Sequence, residues 1–456
     1  MKTNESKIPS LAILVALTAV GLPSSAAEFT VTRSTITGPG SLQAVVAQVN
    51  ATPGPHVVRF GVTGRITLAS SLPTITRDVT IEGRDGLEIN GGGVAALFRF
   101  APGVTASLSD LSLNGGSSTN GGSAVWNDGN LNVARCSFSG NRGGVYGGAV
   151  FNGTNATLSI RQSSFSSNSV SPGWGGAIWN SGALAMVDST VSANSSIGGD
   201  GGTGYFGAGG GAGFGGGLFV ASGSSHITNC TLSGNLVRGG FGGESDFSSR
   251  PAFAGGPFPG TGAVAGFGTG GRPSTPEIPR QTPGFGGGKT AIDLNELRAQ
   301  SGVGMGGAVF AMSGTISVVN CTIVSNACHY SPHPKETQNL RLRGDAVGGG
   351  IYRYGGEIRM LNSIIQANRA GTSPDLVGQF ASDGYNLIGN NTGATGLHVL
   401  DYQNETTPLG PLQDNGGPTW THALLAGGPA INGGWDSGAP LLDQREIGRA
   451  SCRERV

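Results

Sequence analysis

Apolar residues return along the chain in a fixed order, as two short alternating runs separated by one slip of phase. Leu131 and Val133 form the first apolar pair, and Cys136 and Phe138 form the second. Alternation by two is typical of β-strands, and the slip between residues 133 and 136 indicates a tight corner between two strands. A helical period of 3.6 residues does not fit these positions. The pattern therefore predicts strand, corner and strand.

The same order recurs, and each time an asparagine follows the last apolar residue by three positions. The six asparagines are Asn141, Asn168, Asn194, Asn235, Asn326 and Asn368. The first gaps between them are 27 and 26 residues, and the later gaps are 41, 91 and 42 because of insertions. Equivalent side chains at a period of about 26 residues predict coils stacked about 4.8 Å apart through parallel hydrogen bonds. We expect the six amides to form a structural ladder along that stack.

The corner itself has a column of its own. Its members, apart from one arginine, are mostly the residue types that tolerate a left-handed backbone: Asp110, Arg135, Gln162, Asp188, Asn229, Asn320 and Asn362. After each coil's asparagine comes a Gly-Gly pair followed by an apolar residue, as in "GGAVF" and "GGAIW". Glycine permits a turn and close backbone approach there, and the apolar residues re-enter the coil wall.

The ends and the insertions follow different patterns. Leu42, Val45, Val46 and Val49 have helical spacing behind Ser41, which suits an N-cap, so we expect an amphipathic helix that covers the first coil. Glycine-rich insertions at about 198–215 and 239–305 have no strand pattern, and we expect mobile or disordered excursions there.

Composition and the N-terminus indicate an exported protein. Among 456 residues there are 84 glycines, and 27 basic residues balance 27 acidic residues. This neutral balance, with no basic cluster, argues against nucleic acid as a partner. Lys2 and Lys7 flank the start of an apolar run over 8–22, and small residues follow, so residues 1–27 are predicted to be a signal peptide.

Cys136, Cys230 and Cys321 share one column of the repeat, while Cys328 and Cys452 lie outside it. We interpret the three as small buried side chains and not as a disulfide framework.

No residue set in the repeat favours catalysis. Glycoside hydrolysis needs two carboxyl groups about 5 to 10 Å apart, and Asp110 and Asp188 share a column about three coils, or roughly 14 Å, apart. "PGFGGGKT" (283–290) lacks the first glycine of a phosphate-binding loop. "CHYSPH" (328–333) lacks a fourth metal ligand. We therefore assign no catalytic, cofactor-binding or metal-ligating residues and no cofactor.

The paired elements "CSFSGN…GGAVF" and "SSFSSN…GGAIW" resemble the repeats of polymorphic outer-membrane proteins. "SDGYNLIGN" (382–390), "LGPLQDNGGPTWTHALLAGGPAINGG" (409–434) and "DQR" (443–445) are similar to the bacterial choice-of-anchor Q family. The resemblance covers most of residues 35–445. It implies a pectin-lyase-like right-handed β-helix, exported and often held at the cell surface by a C-terminal signal.

Together these observations predict an all-β protein, a right-handed parallel β-helix built as a single-stranded solenoid. We divide it into the signal peptide (1–27), an N-terminal cap (28–56), the β-helix (57–445) and a basic tail (446–456) that resembles a translated sequencing adapter. The tail would replace the natural C-terminal anchor.

The predicted function is a structural or adhesin-like binding role at the cell surface, in the outer membrane or outside the cell. The alternative is a polysaccharide lyase or glycoside hydrolase on the same fold. We expect a monomer with no transmembrane helix in the mature chain, and a polysaccharide or cell-surface glycan as the partner.

Overall fold

The computed structural model describes residues 26–204, 207–245, 253, 255, 270, 283–290, 299–331 and 343–448. In this part of the chain, all five stacked sheets are parallel, and strands that neighbour each other in a sheet come from successive coils. The chain is a right-handed parallel β-helix, as the repeat predicted. One coil shows the path: Asn130–Ala134, a corner, Ser137–Ser139, Arg142–Gly143 and then Val150–Asn152.

Sheets 1 and 2 lie on either side of the corner, and each has eleven strands. The strands of sheet 1 are Ala27–Val31, His56–Phe60, Val79–Glu82, Thr105–Ser109, Asn130–Ala134, Thr157–Arg161, Ala183–Val187, Ser224–Thr228, Thr315–Val319, Glu357–Leu361 and Ala381–Ser382. The strands of sheet 2 are Gly64–Thr67, Leu87–Asn90, Ser112–Asn114, Ser137–Ser139, Ser164–Ser166, Thr190–Ser192, Thr231–Ser233, Thr322–Val324, Ile364–Gln366, Leu387–Ile388 and Tyr402–Gln403.

Three smaller sheets complete the coils. The nine strands of sheet 3 are Phe98–Phe100, Val125–Asn127, Val150–Asn152, Ile178–Asn180, Leu218–Val220, Val309–Ala311, Ile351–Arg353, Leu376–Gln379 and Ala394–Thr395. The six strands of sheet 4 are Ser117–Ser118, Arg142–Gly143, Ser169–Val170, Ser195–Ile197, Leu236–Arg238 and Ala327–His329. The three strands of sheet 5 are Gly213–Phe214, Gly304–Met305 and Ala346–Val347.

The apolar columns of the sequence form the interior of the stack. Phe138, Phe165 and Val191 are partners in register on successive coils, and each is fully buried. The rings of Phe138 and Phe165 stack at 4.4 Å between centroids with only 7° between their planes. Offset stacking and apolar burial both stabilise such a column, so the alternating pattern is confirmed as inward-facing strand residues.

The corner column is also confirmed. All seven of its members have a left-handed backbone, with φ between 50° and 57°. Arg135 adopts this conformation although it is neither asparagine nor aspartate, with φ of 51°. A single left-handed residue between two strands gives the slip of phase that the sequence showed.

The N-terminal helix, Leu42–Ala51, packs its apolar face into the same core as the coils. Ser41 caps it by accepting a hydrogen bond from the backbone N–H of Ala44. Before the helix, Ala27–Val31 is already a strand of sheet 1 and pairs with His56–Phe60. The segment predicted as a cap therefore contains the first strand of the stack as well as the helix.

The expectation of disordered excursions is wrong for the described residues of the two glycine-rich insertions. Within 198–204, the N–H groups of Gly198, Gly201 and Gly204 donate to carbonyls of 238, 241 and 244, three residues apart on both segments. Hydrogen bonds with the same step of three join 208–211 to 240–243, and 299–302 to 240–243. Three residues per turn is the period of the polyproline II helix. These segments form a bundle of extended glycine helices, which we call the glycine bundle.

Glycine is required inside the bundle because the segments lie so close together. A Cβ atom built on Gly198, Gly201, Gly240 or Gly243 would lie less than 3.0 Å from a carbonyl oxygen of a neighbouring segment, closer than real Cβ atoms come. Only glycine therefore fits at these positions, as only glycine fits at the crowded axis of the collagen triple helix.

An aromatic cluster outside the main core joins the second insertion to sheet 3. Trp179, Phe219 and Phe310 stack along the outer face of the sheet, with centroid distances of 4.4 and 5.4 Å. Phe214 packs beside them, 4.5 Å from Phe310. Phe285, from the second insertion, stacks on Phe214 at 6.2 Å. The described part of the second insertion around Phe285 is therefore anchored to the solenoid by apolar contact.

The last strand of the stack is Tyr402–Gln403, and the chain leaves the stack after it. The sequence analysis had extended the β-helix to residue 445. Residues 404–448, the C-terminal strap, contain an antiparallel hairpin of Leu409–Gln413 and Thr421–Leu424 and a 3₁₀-helix at Asp436–Gly438.

The strap runs back over sheet 2. Thr190 donates to the carbonyl of Trp420 at 2.6 Å, and Asn229 donates to the carbonyl of Leu442 at 2.8 Å. The strap thus covers the outer face of several middle coils.

Candidate functional site

The structure stacks all six predicted ladder asparagines in the interior. The Nδ2 of each asparagine donates to the Oδ1 of the next, with distances of 2.8 to 2.9 Å from Asn141 through to Asn368. Five of the six side chains are completely buried, and Asn368 is 6% exposed. A buried amide requires partners for two donors and its acceptor, and the ladder supplies them.

Asn194 shows how each amide is satisfied. Its Nδ2 donates to the carbonyl of Phe165 at 3.0 Å and to Oδ1 of Asn235 at 2.9 Å. Its Oδ1 accepts from both the backbone N–H and the Nδ2 of Asn168, each at 2.9 Å. Each asparagine therefore ties three coils together.

The ladder ends in a carboxylate. Oδ1 of Asp375 accepts from the backbone N–H and the Nδ2 of Asn368, at 3.1 and 2.8 Å. In the same way, Oδ1 of Asp401 accepts from the backbone N–H and the Nδ2 of Asn386, at 3.0 Å for both bonds. An asparagine row leaves two N–H donors at its last member, one from the backbone and one from Nδ2. An ionised carboxylate, which only accepts, fits that position.

Burial raises the pKa of Asp375 despite the hydrogen bonds from Asn368, which act to lower it. An acid whose pKa is higher in the folded state binds a proton more tightly there, so stability falls as pH rises from the unfolded pKa through the folded pKa. We expect the advantage of the native protein over Asp375→Asn to shrink by up to about 1.4 kcal/mol per pH unit as the pH rises above about 4. Urea unfolding of both proteins between pH 4 and 7 measures this difference, and a difference independent of pH would contradict it.

A second amide row was missed by sequence reasoning. On sheet 3, Asn127 donates to Asn152 at 2.8 Å, and Asn152 donates to Asn180 at 2.7 Å. Asn180 then donates to Oγ of Ser225 at 3.0 Å. The signal was present in the sequence as an asparagine that ends the apolar run after three of the glycine pairs, in "VWN", "VFN" and "IWN".

A groove of about 650 Å³ lies on the outer face of sheet 2, between the early coils and the strap. Its charged lining residues are Arg84, Asp85, Glu88, Asp110 and Arg135, and its neutral polar residues are Ser112, Ser137, Gln162, Ser164 and Thr419. Ser112, Ser137 and Ser164 are partners in register, so their outward side chains repeat along the groove at the coil spacing. The groove is thus a polar channel that crosses successive coils.

Two of the groove's carboxylates are held by arginine. Arg135 binds Asp110 through two hydrogen bonds of 2.7 Å, and this contact lowers the pKa of Asp110. Burial acts to raise the pKa of Glu88, but hydrogen bonds from Asn90 and Arg65, each 2.8 Å, outweigh it and the pKa is lowered. Both carboxyl groups are therefore ionised at neutral pH and are poor proton donors.

The sequence analysis weighed Asp110 and Asp188 as a pair of acids and did not consider the acids of the earlier coils. The structure brings Asp85 and Glu88 onto the same surface as Asp110 and Arg135. Asp188, considered together with Asp110 from the sequence, instead lies beneath the strap, where its carbonyl accepts from Thr419.

The histidine and cysteine residues of "CHYSPH" are not gathered into a site in the described part. Cys328 is buried, with its thiol directed at the carbonyls of Val347 and Gly348, and His329 is exposed. His333 lies outside the described residues. Within the described ranges, no three or more His, Cys, Asp or Glu side chains group as a metal site.

Among the residues that the structure covers, no helix is long and apolar enough to cross a bilayer. The predicted signal peptide lies almost wholly outside these residues, as do 449–456 of the predicted tail. Glu446 is described, and its carboxylate accepts a hydrogen bond from Gln162.

The fold and the groove define a parallel β-helix with a polar surface channel. A comparison with models of known families found no match, and a search of curated proteins found no significant relative.

Proposed function

We propose that this is an exported β-helix protein of the cell surface or extracellular space, with a structural and adhesin-like binding role. Its groove on sheet 2 binds a polysaccharide or a cell-surface glycan. The repeat and C-terminal motifs support membership among the polymorphic outer-membrane and choice-of-anchor Q proteins. The apolar run over 8–22, which has the pattern of a signal peptide, supports export of the β-helix from the cytoplasm.

The lining of the groove supports a glycan ligand. Serine hydroxyls from three successive coils, with Gln162 and Thr419 nearby, offer donors and acceptors at regular intervals to a chain of sugar hydroxyls. The channel crosses coils about 4.8 Å apart, so it suits an extended polymer. The paired Arg135 and Asp110 carry little net charge, which favours a neutral or weakly charged glycan.

One observation carries the preference for binding over cleavage: the Asp110 and Glu88 carboxyls are committed to arginine partners that keep them ionised. A glycoside hydrolase needs one protonated carboxyl group as general acid, usually with a raised pKa. In the groove, the pKa values of the Glu88 and Asp110 carboxyl groups are instead both lowered.

The second candidate function is cleavage of a polysaccharide. It is supported by the charged residues that line the same groove, which are Asp85, Glu88, Asp110, Arg84 and Arg135. A polysaccharide lyase or hydrolase in this groove would release unsaturated products or reducing ends. Turnover that is lost in Asp85→Asn would favour this second function.

The test measures binding of the full chain to a panel of polysaccharides by glycan array and calorimetry, together with product release. Ser137→Trp fills the groove from a half-buried, outward position, and Ser159→Trp places the same side chain on the outer face of sheet 1 as a matched control. We expect Ser137→Trp to weaken binding at least about 10-fold, a loss of about 1.4 kcal/mol, and Ser159→Trp to leave it unchanged. Equal binding by both variants, or no binding to any member of the panel, would overturn the proposal.

A further inference from the structure

One inward-facing column contains two adjacent thiols. Its members are Cys136, Ser163, Ser189, Cys230, Cys321 and Ser363. Only Cys230 and Cys321 are neighbours that both carry sulfur. Their coils pair directly, because Thr231 is in register with Thr322 and the N–H of Thr322 donates to the carbonyl of Cys230 at 2.9 Å. The side chains of Cys230 and Cys321 are 1% and 2% exposed.

The geometry of adjacent coils suits a covalent bond between these side chains. Parallel strands lie about 4.8 Å apart, and disulfides form between Cα atoms about 4.4 to 6.8 Å apart. Cys321 Sγ also lies 3.4 Å from the carbonyl of Ile227, which belongs to the coil of Cys230. The side chain of Cys321 is therefore directed toward the coil that carries Cys230, inside the stack.

We propose that Cys230 and Cys321 form a disulfide between adjacent coils when the chain folds in an oxidising environment. This replaces the interpretation of both residues as small buried side chains alone. With oxidised glutathione as the oxidant, a thiolate of one cysteine attacks the small disulfide and releases one reduced glutathione. The second cysteine then attacks the mixed disulfide and releases another, so two thiols are oxidised and one small disulfide is reduced.

The bond leaves few groups without partners. In the thiol state, Cys230 Sγ lies 3.1 Å from the carbonyl of Thr228, and Cys321 Sγ lies 3.2 Å from the carbonyl of Val319. Thiols are weak donors, so the loss of these contacts is small. The bond would also link the coil that the chain leaves before the long insertion to the coil that it enters afterwards.

The bond forms during folding, not after it. Burial raises the pKa of Cys230 well above the usual range, and the neighbouring thiol of Cys321 acts in the same direction. Since the thiolate is the reacting species, the folded protein with both thiols intact is unreactive.

The test refolds the full chain either in reductant or in a mixture of reduced and oxidised glutathione. With the mixture, we expect the thiols counted in denaturant to fall from five to three, a non-reduced peptide map to link Cys230 to Cys321, and the thermal midpoint to rise by roughly 5 °C. Cys136→Ser should form the same Cys230–Cys321 bond as the native protein and show the same rise in thermal midpoint. Cys321→Ser should form no bond. Serine occurs in this column already, so both variants should fold.

Five free thiols after oxidative refolding, or a bond that joins any other pair, would overturn the proposal. Oxidant added to the protein after it has folded with reduced thiols should leave all four buried cysteines unchanged.

Discussion

Replacing Asn194 by alanine is expected to lower the free energy of unfolding by about 4 kcal/mol. The change leaves the backbone N–H and one Nδ2 donor of Asn168, and the carbonyl of Phe165, buried without their partner. Each unsatisfied buried group costs about 1 to 3 kcal/mol. Because the ladder passes through the middle of the stack, no solvent reaches these groups.

Guanidinium unfolding followed by far-UV circular dichroism measures this loss. Ser166→Ala is the control, since Ser166 points outward from sheet 2 and should change stability by less than about 0.5 kcal/mol. Equal stability of the Asn194→Ala and Ser166→Ala variants would show that the ladder does not hold the coils together.

The double change Gly240→Ala and Gly243→Ala is expected to open the glycine bundle. Each new Cβ would meet a backbone carbonyl, of Gly199 and Gly202 respectively, which cannot move aside as a side chain can. Overpacking of this kind costs about 1 to 3 kcal/mol per site, so the loss in the bundle is about 2 to 6 kcal/mol while the solenoid stays folded.

Hydrogen–deuterium exchange with peptide resolution separates the bundle from the solenoid. Amides of 198–204 and 239–245 should lose protection, whereas those of sheet 2 should keep it. Thr203→Ala lies in the same segment but is exposed, and it should leave protection unchanged. Protection that survives in the double variant would show that the bundle does not need glycine at these positions.

The solenoid was predictable because its side chains repeat. Each coil places Phe138 or its equivalent inward and a left-handed residue at the corner, so the columns of the sequence are the columns of the structure. The polar ladder could be predicted for the same reason, since an asparagine at a constant distance from the apolar pair must stack once the coils stack.

The glycine bundle was not predicted because strands were recognised by the alternation of apolar and polar side chains, and segments made mostly of glycine have no such alternation. The relevant signal was a glycine at every third residue from Gly198 to Gly213, which is the period of the extended helix. The groove was missed for another reason. Arg84, Asp85 and Glu88 belong to a coil that precedes Asn141, so an alignment on the asparagines never included them.

The central claim is that equivalent residues lie directly above one another. Asn132 and Arg359 both point outward on sheet 1 and are five register steps apart, through Ser159, Ala185, His226 and Ser317. Spin labels at Asn132 and Arg359, in a chain whose native cysteines are serine, should give a narrow distance distribution centred near 24 Å, which is five spacings of about 4.8 Å. A broad distribution, or one centred beyond about 35 Å, would contradict the stacked solenoid.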